Sequence, residues 1–196
     1  MKRLVLLVLL VAGCTTAELK PPPPAPVTEA ELRATIAVLA SDAFEGRMAG
    51  TAGEARAAAF IADRFGKAGL KLAGGSFLQG FTVDRKPTEV PPESAKLPPS
   101  QRHFLLAMNK RGPFTATNVV GRAPGRAPDG RAVVVMAHYD HLGLCQPEGV
   151  ADRICNGAVD NASGTAALIA LAERVAAMGL DRDVWFVATS AEEWGL

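Results

Sequence analysis

One continuous apolar stretch, Ala132-Val-Val-Val-Met-Ala137, constrains this chain more than any other feature. A β-branched run without polar alternation suits a strand covered on both faces, as in a parallel sheet. Gly164 to Met178 follows, with Leu168, Leu171, Ala172 and Val175 on one helical stripe. Gly179 stands where a left-handed stop belongs. Val184-Trp-Phe-Val-Ala188 then reads as a second buried strand. Strand, helix and strand in this order predict a βαβ crossover, and with it an α/β fold. A hydrophobic share of 48% supports a packed core and excludes wholesale disorder.

Two helices are expected upstream. Thr28-Glu-Ala-Glu31 reads as a capping box, with Leu32, Ile36 and Leu39 on one face behind it. Thr51-Ala-Gly-Glu54 repeats the signal, followed by Ala58, Ile61, Ala62 and Phe65, with Gly69 as the stop. Ser41 to Arg47 is a polar loop between them. Phe77 to Val83 and Asn118 to Gly121 read as strands, and the proline-rich, charged stretch from Lys86 to Gly112 as a surface excursion.

The first residues read as an address. Lys2 and Arg3 precede the nine-residue apolar run Leu4 to Ala12, too short to span a bilayer and typical of a secretory signal. Val11-Ala12-Gly13-Cys14 resembles the bacterial lipobox, which implies cleavage before Cys14 and lipidation of its thiol. The division is therefore a signal peptide over 1–13, a proline-rich tether over 14–27 and a folded domain over 28–196. The expected location is the cell envelope: a membrane-anchored lipoprotein facing the periplasm, with the residue after Cys14 favouring the outer membrane. A net charge of +1 and 6% aromatic residues give no reason to expect nucleic acid as a partner.

Three clusters carry chemistry. His138-Tyr-Asp140-His141-Leu-Gly143 follows the first buried strand, Asn156-Gly-Ala-Val-Asp160-Asn161-Ala-Ser-Gly164 precedes the helix, and Ala191-Glu192-Glu193-Trp-Gly-Leu196 follows the second strand. Parallel sheets bind ligands beyond the carboxyl ends of their strands, so one crevice can gather all three. Imidazole and carboxylate without a thiolate cluster suit zinc. Two neighbouring zincs need a carboxylate between them, and a free carboxylate alongside can take a proton from water.

Together the clusters resemble the secreted bacterial zinc aminopeptidase family, whose members use co-catalytic zinc pairs. Ser41 to Arg47 and Gly50-Thr-Ala-Gly53 are also similar to that family's first segment, so the resemblance covers 28–196. It implies a three-layer α/β/α zinc-exopeptidase (phosphorylase/hydrolase-like) fold with a mostly parallel central sheet. The implied activity is removal of amino-terminal residues from peptide substrates, with two Zn2+ in a complete site. By the same resemblance His138, Asp160 and Glu193 are metal ligands, with Asp160 bridging. Asp140 orients His138 from behind, and Glu192 is the general base that deprotonates the bridging water. A cis peptide bond after Asp160 is implied as well. His141 is set aside, because the family's motif uses the first histidine.

Two other functions share these features. A glutaminyl cyclase-like transferase uses the same fold and much of the metal shell, and a non-catalytic peptidase-like lipoprotein needs neither base nor turnover. Cys145 and Cys155 bracket a loop between the first two clusters and are either a disulfide of an oxidising compartment or two free thiols. The family's further Asp and late His ligands would follow the third cluster, where the sequence reaches Leu196. The expectation is an amino-terminal fragment with an apolar sheet edge, weak metal binding and little or no peptidase activity.

Overall fold

The computed structural model describes residues 23–195. The signal-peptide assignment and Cys14 lie outside the described residues, and only 23–27 of the tether fall within them.

Thr28 caps α1 (Glu29–Leu39) in a complete capping box: its hydroxyl accepts the Glu31 N–H, and the Glu31 carboxylate accepts the Thr28 N–H. A 3-10 turn over Asp42–Arg47 leads to α2 (Ala52–Lys67), capped by Thr51. The second capping box is only half formed. Thr51 accepts the Glu54 N–H, but the Glu54 carboxylate is taken up in the interior. There it accepts the N–H groups of Gly50 and Thr117 and the hydroxyls of Tyr139 and Ser190.

Strands β1 (Lys71–Leu72) and β2 (Leu78–Val83) both run antiparallel to β3 (Phe114–Ala123), which is longer than the sequence suggests. The excursion between β2 and β3 is partly regular. It holds a 3-10 turn over Pro92–Lys96 and a twelve-residue helix, α3 (Pro99–Lys110). Pro99 looks like a breaker in sequence, but at the first helical position its missing N–H costs nothing.

Strand β4 (Ala132–His138) is followed by a small hairpin of β5 (Gly143–Leu144) and β6 (Ile154–Cys155). Cys145 and Cys155 form a disulfide across its base, with Cα atoms 5.7 Å apart. Closing a loop of that length stabilises the fold by about 2–3 kcal/mol. Helix α4 (Ser163–Met178) then crosses to β7 (Asp183–Thr189), with Gly179 left-handed at its end. Strands β4 and β7 pair in parallel, from Ala132 opposite Asp183 to His138 opposite Thr189. This is the βαβ unit expected from the sequence.

The sheet order is β1-β3-β7-β4, with β2 also paired to β3. The α/β class holds, but the described sheet is mixed rather than mostly parallel. The amino-terminal strands return through short connections, which only antiparallel pairing accommodates. Helices α1, α2 and α4 form one layer around a core that includes Leu39, Ile61, Phe65, Leu168, Ile169 and Phe186. Strand β4 is not covered on both faces. Val134 and Met136 are 59% and 63% exposed, an open apolar edge of the kind expected. No helix among the described residues is long and apolar enough to cross a membrane.

Arg174 on α4 clamps α1 by donating to both oxygens of Glu31. That contact, with the capping interactions of Thr28, lowers the Glu31 pKa from 4.5 to about 2. A carboxylate depressed on folding stabilises the native state fully above its ordinary pKa and loses that effect as pH falls. Thermal unfolding of wild type against Glu31→Gln should therefore show a constant advantage above pH 4.5 that shrinks as pH falls towards 2.

Candidate metal centre

The three sequence clusters meet at the carboxyl ends of the parallel pair. Strand β4 delivers His138 and then Tyr139, Asp140 and His141. Strand β7 ends at Thr189, and a left-handed Ala191 turns the chain so that Glu192 and Glu193 come back over the sheet. Asp160 sits in the irregular turn Ala158–Ala162 that starts α4, and its bond to Asn161 is cis.

The Asp160 carboxylate divides between two imidazoles. Its Oδ1 is 3.3 Å from His138 Nε2, and its Oδ2 is 4.0 Å from His141 Nδ1. Glu192 Oε2 lies 3.8 Å from His138 Nε2, and Glu193 Oε1 lies 2.7 Å from His141 Nδ1. Exposure separates the two glutamates: the Glu192 side chain is 55% exposed, that of Glu193 16%. Asp140 is fully buried and works in two directions. Its Oδ1 stands 3.6 Å from His138 Nδ1, and its two oxygens accept the N–H groups of Glu192 and Glu193 at 3.3 and 3.4 Å. It thus ties the first cluster to the third. At 3.6 Å the carboxylate is just beyond hydrogen-bonding length of the ring. Its approach nonetheless raises the His138 pKa, helped by the charges of Glu192 and Asp160 and opposed by burial.

The donor set fits a zinc-type ion. His138 Nδ1 is buried with no hydrogen-bond partner, and its Nε2 faces Asp160. That is the arrangement of a ring that gives one nitrogen to a metal and turns the other to a carboxylate. The described residues also place His141, Asp160 and Glu193 so that one donor atom from each lies within 4.8 Å of the others. The sequence reading joined Asp160 and Glu193 to His138. The structure adds His141 to them, the histidine that reading set aside.

Sequence reasoning missed Arg47. Its side chain is fully buried. The guanidinium donates to the carbonyls of Tyr139 (2.7 Å), Asn156 (2.8 Å), Gly157 (2.9 Å) and Leu39. Burial pushes its pKa down to about 10, while the charges of Asp140, Asp160 and Glu193 hold it up, so it remains a cation at neutral pH. Gly46 beside it has φ of 65°, and a Cβ there would stand 2.5 Å from the Cys155 carbonyl oxygen. The segment from Ser41 therefore packs under the β5–β6 hairpin, backbone against backbone. Trp194 belongs to a second core cluster, stacked on Phe114 at 4.7 Å, rather than to an open cleft wall.

Residues 118–196 match Peptidase family M28. The M28 segment thus contains all three chemical clusters. The Escherichia coli (strain K12) alkaline phosphatase isozyme conversion protein is 28% identical over 162 residues, 78% of this chain and 39% of that protein. Among solved structures, BSAP, a zinc aminopeptidase from Bacillus subtilis, superposes with a TM-score of 0.60 at 18% identity, over 86% of this chain and 63% of that one. Fimbriiglobus ruber glutaminyl cyclase gives the same TM-score at 17% identity, over 87% and 48%. At such identities the likeness shows the fold. The chain spans roughly two-fifths to two-thirds of the length of these relatives.

Arg47→Met leaves four carbonyls without their donor and removes the cation under the M28 carboxylates. Losses of this kind cost about 3–5 kcal/mol. Urea unfolding should show that loss of stability; a difference below about 1 kcal/mol would deny Arg47 its central place.

Proposed function

We propose that the protein is a zinc-dependent exopeptidase that removes amino-terminal residues from peptides. The division of the Asp160 carboxylate between two imidazoles, with the exposed Glu192 beside it, carries this reading. A carboxylate so placed can serve two metal positions at once. In the reading, His138, Asp160 and Glu193 hold zinc, and Asp160 is shared. Zinc bound there polarises the substrate carbonyl and lowers the pKa of water. Glu192 accepts the proton of the attacking water and passes it to the departing amine, so the peptide bond breaks without a free strong base. Asp140 holds the His138 ring and, through the two amide N–H groups, sets the base against the neighbouring ligand.

Replacing Glu192 by Gln should lower turnover of a leucine anilide by at least about 100-fold while zinc content stays unchanged. Loss of zinc in that variant would make Glu192 a ligand and overturn its role as base. A second reading, cyclisation of amino-terminal glutamine, is favoured by the equal likeness to Fimbriiglobus ruber glutaminyl cyclase. Side-by-side assay of the leucine anilide and a peptide beginning with Gln separates the two: pyroglutamate formation without anilide hydrolysis would select the cyclase.

We also propose that Cys14 is lipidated and holds the domain at the envelope membrane, facing the periplasm. The support is the basic start, the short apolar run and the small residues before the cysteine. Cys14→Ala should abolish incorporation of labelled fatty acid and move the protein to the soluble fraction; an unchanged acyl label would refute the assignment.

A further inference from the structure

We propose that His141 is itself a metal ligand, donating through Nδ1 in company with Asp160 and Glu193; the inference rests on the zinc-site reading above and names a ligand that reading lacks. The three donor atoms already lie within 4.8 Å of one another. Nδ1 is 2.7 Å from Glu193 Oε1 and 4.0 Å from Asp160 Oδ2. Ligand atoms around a tetrahedral zinc with bonds of about 2.0–2.2 Å stand roughly 3.4 Å apart. The two observed separations bracket that spacing, so small rotations of the side chains bring all three atoms to a common centre.

The fold holds the ring in place for this task. Gly157 is left-handed with φ of 57°, and a Cβ on it would stand 2.5 Å from Cγ and Cδ2 of His141. Any side chain there would drive the imidazole out of position. The Gly157 carbonyl is in turn fixed by the Arg47 guanidinium, and the His141 N–H donates to the Arg47 carbonyl. The imidazole is therefore located from both sides by a buried residue. Its side chain is 11% exposed against 61% for Asp160, so the ring forms the wall of the site and the aspartate its mouth. Four carboxylates, Asp140, Asp160, Glu192 and Glu193, converge here with Arg47 as their buried cationic neighbour. That surplus of negative charge is what a divalent cation offsets. Two imidazoles on either side of Asp160 also make the arrangement nearly symmetric, one nitrogen for each carboxylate oxygen.

A His141 that merely steadied Glu193 through a hydrogen bond would keep its Nδ1 proton when zinc binds. A ligand must give it up. Affinity alone does not separate these roles, since loss of a residue that only orients a ligand weakens metal binding by about 10–100-fold. The deciding measurement is a zinc titration of the purified protein labelled with 15N-histidine, followed through two-bond proton–nitrogen spectra of the rings. With three histidines in the chain, His138→Gln and His141→Gln suffice to assign the signals. The expected result is a shift of His141 Nδ1 to the metal-bound position, with loss of its proton, and a zinc affinity at least about 100-fold weaker in His141→Gln. Zinc binding with His141 Nδ1 still protonated would overturn the proposal and leave the wider zinc-site reading intact. Absence of zinc binding by the wild-type protein would overturn both.

Discussion

The buried guanidinium of Arg47 is the interaction on which the site depends. Four carbonyls from three separate segments point at it: Leu39 at the end of α1, Tyr139 just past β4, and Asn156 with Gly157 ahead of α4. A buried backbone carbonyl must find a donor. One side chain that satisfies four of them fixes the relative positions of the segments that carry His138, His141 and Asp160. The same cation stands beneath Asp140, Asp160 and Glu193 and lowers the cost of bringing their charges together. Structure and electrostatics are thus coupled through one residue.

Two buried carboxylates extend that framework. Asp140 accepts the backbone N–H groups of Glu192 and Glu193, so the loop after β7 is referenced to the loop after β4. Glu54 does the same for the sheet. It gathers Gly50, Thr117, Tyr139 and Ser190, which joins α2 to β3 and to the ends of both parallel strands. Burial and the nearby Glu54 raise the Tyr139 pKa well above its ordinary value, so the phenol stays a hydrogen-bond donor. Charged groups that hold backbone in this way leave the outer carboxylates, Asp160 and Glu192, free to face solvent.

Much of this was legible because it is local. The crossover from β4 through α4 to β7 follows from residue periodicity, and the Thr28 capping box from four adjacent residues. The three clusters were found as patterns within a few residues of strand or helix ends. What escaped the sequence is non-local. Arg47 looked like one more polar residue of a loop, since its partners lie up to 110 positions away. Glu54 looked like a capping residue because helix starts use that spacing, while its true partners lie across the sheet. Helix α3 was hidden by Pro98 and Pro99, whose effect depends on which side of a helix start they fall. The paired cysteines were a choice between two states until β5 and β6 were seen to bring them together.

The sequence by itself determined the fold class, the order of the chemical clusters and their placement at the carboxyl ends of two parallel strands. Hydrophobic periodicity and chain direction are local properties, and they suffice for those conclusions. Only the tertiary structure decided which histidine meets which carboxylate. His138 and His141 stand three residues apart, and nothing in their spacing says that one ring turns to Oδ1 of Asp160 while the other turns towards Oδ2 and Glu193. That choice is made by Gly157, which lacks the atom that would displace the second ring, and by Arg47, which holds Gly157 where it stands.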